Sequence, residues 1–134
     1  MINSAQLPEF LWTEALPCAA YLLNRSPTRA LNWQTPIGYI ESYFGRTIRP
    51  SLNHLVPYGC RAYSYIKNRP KLEKLQPRAH IGYLVGYDST NVFRIWIPTL
   101  KRVISTRDVV FDTTKRYIPW NDQSEATKEV IQTI

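Results

Sequence analysis

Between residues 7 and 24 the apolar positions keep a helical period. In LPEFLWTEALPCAAYLLN, Leu11, Ala15, Ala19 and Leu22 fall at i, i+4, i+8 and i+11, one stripe on a helix, and Trp12 and Leu16 widen it. Pro8 suits the first turn, where its missing N–H costs nothing, and Glu9 sets a negative charge near the positive helix end. Pro17 interrupts the stripe. A mid-helix proline costs about 3 kcal/mol, so the expectation is a kink there or two short helices. After Leu22-Leu23, Ser26-Pro27 ends the pattern.

A second helix is predicted in TPIGYIESYFG, capped by Thr35, started by Pro36 and stopped by Gly45, with Tyr39, Ile40, Tyr43 and Phe44 on its apolar face. RSPTRALNWQ between the two helices reads as a loop, and RTIRPSLNHLVP as an irregular connector with two prolines. A domain boundary is expected near residues 50–55.

From Tyr58 the period changes to two. YGCRAYSYI sets Cys60, Ala62, Ser64 and Ile66 on one side and Arg61, Tyr63, Tyr65 and Lys67 on the other. HIGYLVGYD, NVFRIWIP and RVISTRDVVFD are short and β-rich, separated by the turn material DST and PTLK. Successive short antiparallel strands with no helix between them predict a small barrel of SH3 or OB size. Its expected core is Tyr83, Val85, Phe93, Ile95, Ile97, Val103, Ile104, Val109 and Phe111. The fold class is therefore α+β, with a helical part over 1–50, a β-barrel over 56–112 and a tail over 113–134. In that tail Asp122 and Glu125 form a candidate capping box for a terminal helix.

Composition adds one strong signal. The 134 residues carry a net charge of +7, and between Arg25 and Arg116 sixteen Lys/Arg face five Asp/Glu. The first 24 residues hold two acids and no base; the last eighteen hold three acids and one base. A basic middle between acidic ends points to a polyanion partner, nucleic acid above all. The sharpest concentration is KNRPKLEKLQPR, where Lys67, Arg69, Lys71, Lys74 and Arg78 surround one acid, Glu73. As a loop beside a barrel it can follow a phosphate backbone, and Tyr63 and Tyr65 on the adjoining strand can stack on a base or a sugar. The competing reading is a solvated loop with the tyrosines packed on the protein.

Other chemistries find less support. Cys18 and Cys60 belong to no CxxC pair, and His54 and His80 have no nearby thiol, so a zinc site is not expected. Both cysteines sit in apolar surroundings, as reduced core residues of an intracellular protein do. No secretory leader is recognisable at the N-terminus, and the longest apolar run is far short of the roughly 20 residues a membrane span needs. There is no GxSxG elbow, and His80 reads as a core-edge side chain at the start of a strand.

In order along the chain, LPEFLWTEA, AAYLLNRSPT, TPIGYI, HLVPYGCRAYSYI, HIGYLVGYD, FRIWIP and RVISTRDVVFD resemble the polyprotein of copia-type LTR retrotransposons, over roughly residues 1–112. The resemblance implies that this stretch runs from the end of the RNase H-like integrase catalytic core into an SH3-like barrel. Residues 1–50 would be a helical remnant of that core. The three metal-holding carboxylates of the core would lie upstream of Met1, as would the family's zinc-binding segment, so no catalytic residue, no metal site and no cofactor is expected here, Mg2+ belonging to the intact core. Glu14 falls in the W-x-E-A motif after the catalytic Glu, and with no partner acid nearby it reads as a solvated or capping carboxylate. Asp108 and Asp112 would be about 13 Å apart on one strand face, too far to share a metal. The implied role is support of DNA integration, with DNA and other integrase subunits as partners, a nuclear location, and neither a membrane nor a small-molecule substrate. Its rivals are a protein-interaction module without DNA contact and, last, an enzyme acting alone.

Overall fold

The computed structural model describes residues 1–46, 50–66 and 79–118. A short helix α1 (Ile2–Ala5) precedes a 3-10 turn over Glu9–Leu11 that leads into α2 (Trp12–Asn24), and α3 spans Pro36–Tyr43. Five strands follow: β1 (Cys60–Tyr65), β2 (Ala79–Tyr87), β3 (Phe93–Ile97), β4 (Arg102–Thr106) and β5 (Val109–Arg116). No helix among the described residues is long and apolar enough to cross a membrane.

The ends of α3 follow the sequence signals. Thr35 Oγ1 accepts the Gly38 N–H at 3.0 Å, and Pro36 occupies the first helical position. Past Phe44, Gly45 takes φ +76°; its N–H reaches Ser42 O at 3.0 Å and the Arg46 N–H reaches Glu41 O at 2.8 Å. That pair of bonds is the Schellman arrangement, which satisfies the last carbonyls of a helix.

In α2 the helix carries on through Pro17 instead of dividing. What holds it is the sheet beside it: Leu11 and Cys18 are buried in clusters with strand residues, burial that offsets the lost hydrogen bond. The buried stripe runs through Cys18 where the periodicity had placed Ala19. Trp12 and Leu16, expected to widen the stripe, face water at 61% and 66% exposure.

The sheet is wholly antiparallel, in the order β4-β3-β2-β1-β5. β4 and β5 are its two outer strands, yet only Arg107 and Asp108 separate them in the chain. Three residue steps span about 10 Å at most. The sheet therefore curls until its edges approach, the closure of a small barrel. β5 runs to Arg116, so the sheet extends past residue 112 into the expected tail; the rest of that tail, with Asp122 and Glu125, lies outside the described residues.

Two apolar clusters hold this sheet. One gathers Cys18, Cys60, Ala62, Leu84, Tyr87, Ile95 and Ile97, with Phe93, Ile104, Val109 and Phe111 at its margin. The other packs Ala5, Leu7 and Leu11 on Tyr83, Val85 and Trp96, with Val103 beside them. Every residue expected in the core falls in one of the two. Helices and strands share both clusters, so the connector at 50–55 joins two parts that are packed together. Covering on both faces explains why β2 is buried at each position from Ile81 to Tyr87, where a one-sided strand would alternate.

β2 also changes parity. Leu84 pairs with Ile95 and Gly86 with Arg94, so one extra residue, Val85, is inserted in β2. The bulge lets Leu84 and Tyr87 join the same cluster. Just before it, Gly82 lies so close to β3 that an added Cβ would meet the Ile95 side chain and, at 2.8 Å, the Trp96 carbonyl.

Candidate nucleic-acid interface

The basic stretch proposed for a polyanion lies in sequence between the end of β1 at Tyr65 and the start of β2 at Ala79, and these two residues are direct cross-strand partners. Lys67, Arg69, Lys71, Lys74 and Arg78 lie outside the described residues. Their anchors are fixed. The Tyr65 N–H donates to Asp108 O at 3.0 Å, tying the end of β1 to the β4–β5 turn. Tyr65 itself is 56% exposed. Tyr63, two residues back on the same face, is half-buried between its partners Ile81 and Val110. The structure thus separates the two tyrosines: Tyr65 presents its ring, and Tyr63 is largely built into the sheet.

Arg61 departs from expectation more sharply. The alternation sets it on the outward side with the tyrosines, yet it is 2% exposed. Its cross-strand partner is Tyr83, whose ring centroid lies 6.0 Å from the guanidinium and whose hydroxyl accepts from Nη2 at 3.4 Å. The outer face of β1 and β2 is not solvent here. Aromatic side chains cover it, and a cation lies against the ring it faces.

At the start of β2, His80 is half-buried, and burial together with the charge of Arg102 holds its pKa below the ordinary imidazole value. The same influence places Arg102, exposed at the start of β4, near the loop's re-entry point. Lys101 precedes it with φ +52°. These two bases were not singled out from the sequence. The signal was present in PTLKR, a tight turn ending in two cations, but nothing local says that the turn comes back beside His80.

The acids show no metal-binding grouping: among the described residues no three His, Cys, Asp or Glu side chains are placed to hold an ion. Asp108 precedes β5 and so does not share a strand with Asp112. The Asp112 carboxylate accepts from the Thr114 hydroxyl at 2.5 Å and backbone N–H at 3.0 Å, which holds its pKa below the usual carboxylate value. Glu14 is neither solvated nor a cap. Its two oxygens accept from Arg94 Nε and Nη2 at 2.7 and 3.0 Å, a two-pronged pair that also raises the Arg94 pKa. Asp88 stands 3.6 Å from the same guanidinium, and the Ser105 hydroxyl donates to Asp88. A crevice of about 300 Å3 between α2 and the sheet is lined by this network, whose charges are engaged with one another.

Cys18 and Cys60 are buried free thiols, each pushed up to about 11 by desolvation. The apolar residues left in water are grouped mainly on the helical part: Phe10, Trp12, Leu16 and Leu23 around α2, and Tyr39, Ile40, Tyr43 and Phe44 on or just after α3.

Comparison with known proteins assigns this architecture. The model of the retroviral polymerase SH3-like domain matches residues 60–126, a span that takes in all five strands. The retrovirus-related Pol polyprotein from transposon TNT 1-94 of Nicotiana tabacum is 38% identical over 112 residues, covering 83% of this chain and 8% of that protein. Those from transposons RE2 and RE1 of Arabidopsis thaliana are 33% and 30% identical, each covering 84% of this chain and 7% of its own length. The chain thus spans less than a tenth of the relatives it matches. No solved structure matches it. The curled five-stranded sheet, the matching domain model and these relatives together show that the chain belongs to the retroviral polymerase SH3-like family, as part of the retrovirus-related Pol polyproteins of transposons.

Proposed function

We propose that the chain is a non-catalytic part of a copia-type integrase that holds DNA without reading its sequence, in support of integration. The observation that carries this reading is the placement of charge: sixteen bases against five acids between Arg25 and Arg116, densest in KNRPKLEKLQPR, between the paired residues Tyr65 and Ala79. In this reading Lys67, Arg69, Lys71, Lys74 and Arg78 neutralise phosphates, Tyr65 stacks at their edge, Tyr63 supports it, and Lys101 and Arg102 extend the basic surface. In this reading the helical part is the end of an RNase H-like core, and the site of action is the nucleus.

The test is anisotropy with random-sequence duplex DNA at several salt concentrations. Changing Lys67, Arg69, Lys71 and Lys74 together to Ala weakens binding to all sequences alike and flattens the salt dependence, the slope falling by about 0.9 for each phosphate no longer neutralised. Unchanged affinity removes the loop from the site. A second reading, a module that binds other integrase subunits, is favoured by the exposed Trp12, Leu16, Tyr43 and Phe44; salt-independent self-association without DNA binding would select it.

A further inference from the structure

The connector between helices and sheet is fastened at one aromatic cluster. His54 Nε2 and the Tyr21 hydroxyl of α2 are 2.6 Å apart. Tyr21 stacks on Tyr87 of β2 with centroids 5.0 Å apart and planes 15° apart, and the imidazole meets both rings edge-on, at 5.9 and 5.7 Å. Tyr87 Oη grips the connector as well: it donates to Val56 O at 2.9 Å and accepts the Val56 N–H at 3.1 Å. Three segments distant in sequence therefore meet at His54.

The groups facing the imidazole are the Tyr21 hydroxyl, the rings of Tyr21 and Tyr87, and one cation. Arg25 on the α2 side lies 3.5 Å from the Tyr21 ring centroid and donates to Tyr21 O at 3.3 Å. No carboxylate among the described residues pairs with the ring. His54 Nδ1 is buried without a hydrogen-bond partner among them, as is Arg25 Nε. In the Nε2–H tautomer the neutral imidazole donates its single N–H to the Tyr21 hydroxyl oxygen, and Nδ1 carries only a lone pair. An imidazolium would bury a second N–H with no acceptor and set a positive charge beside Arg25, both unfavourable.

We infer that the Tyr21–His54–Tyr87 cluster is an acid-released clasp: with His54 neutral the connector is fastened to α2 and β2, and protonation frees it while the Glu14–Arg94 pair keeps α2 on the sheet. Burial first, and Arg25 second, hold the His54 pKa below its ordinary value of 6.5. The stability from the clasp is accordingly complete above that ordinary value and is lost as pH falls through the lowered one.

The experiment is hydrogen exchange on the full chain from pH 7.5 to 5, corrected for intrinsic rates, with an NMR titration of the His54 ring. Protection of the Val56 and Gly59 amides is expected to fall by up to about tenfold for each unit separating the clasped and free pKa values. His54→Phe keeps an edge-on ring without a titrating group, and its protection should not respond to pH; His80→Gln should respond as the parent does. The clasp is overturned if His54→Phe shows the same acid loss, or if His54 titrates at an ordinary value while protection stays constant. Should His54→Phe not fold, the parent chain decides: Val56 protection that falls as the His54 ring titrates supports the clasp, and protection that stays constant through that titration overturns it.

Discussion

Glu14 and Arg94 are 80 positions apart in the chain and meet through two N–H to oxygen bonds, Nε to Oε2 and Nη2 to Oε1. The pair joins the helical part to the third strand, with side chains 22% and 34% exposed. Solvent screening discounts its worth. A double-mutant cycle of Glu14→Ala and Arg94→Ala, followed by urea unfolding, should give a coupling of about 1 kcal/mol. Arg94→Lys should lose much of it, since an ammonium cannot make the two-pronged contact. A coupling indistinguishable from zero would show the pair to be ornamental.

Gly59 and Gly45 both stand at positive φ, +78° and +76°, but only Gly59 has a neighbour in the way: an added Cβ would lie 2.6 Å from Ala5 Cβ. Gly45→Ala should cost about 1–2 kcal/mol, the left-handed backbone alone. Gly59→Ala should cost a further 1–3 kcal/mol or so from overpacking against α1. Equal losses would mean that α1 does not rest on the sheet in solution.

Leu11 is 2% exposed among Leu7, Tyr83, Val85 and Trp96. Leu11→Ala should destabilise the chain by about 2–5 kcal/mol, whereas Leu16→Ala, at a site 66% exposed, should stay within about 0.5 kcal/mol. Denaturant midpoints check both. Similar small effects at the two sites would dissolve the outer layer described above.

Alkaline pH should weaken the fold. The buried thiols of Cys18 and Cys60 are each raised from 9.0 to about 11, so stability is full below 9 and falls as pH rises toward 11. Tyr58 and Tyr87, each raised to about 12 mainly by burial, extend the loss above pH 10. A thiol reagent at pH 8 should find no fast-reacting cysteine in the native chain and two in denaturant. Rapid native labelling would contradict the burial.

Much of this fold was legible because its signals are local. The Thr35 cap, the Gly45 stop and the alternation through Cys60, Ala62 and Ser64 depend on residues a few positions apart, and so does the set of core residues. What escaped depends on packing between distant parts of the chain. The burial of Arg61 follows from which layer covers the outer face, and α1 with Leu7 supplies part of that layer from more than fifty residues away. The inserted Val85 is defined only by its partners on β3. Glu14 read as a solvated or capping carboxylate because no partner acid lies near it and a lone charge usually faces water, and Arg94 arrives only once the sheet is built. Tyr65 was legible as an exposed ring, whereas Arg102 needed the return of the β3–β4 turn to His80.

The two-residue link between the outermost strands makes β5 a removable stave. Among the described residues it is hydrogen-bonded into the sheet only through β1, and its covalent tie to β4 is Arg107-Asp108. Chain scission after Arg107 would yield a four-stranded remainder with an empty slot beside β1 and a peptide shaped to refill it. The seam of the barrel thereby offers a natural place to divide the molecule into two halves that report, by reassembling, on each other's presence.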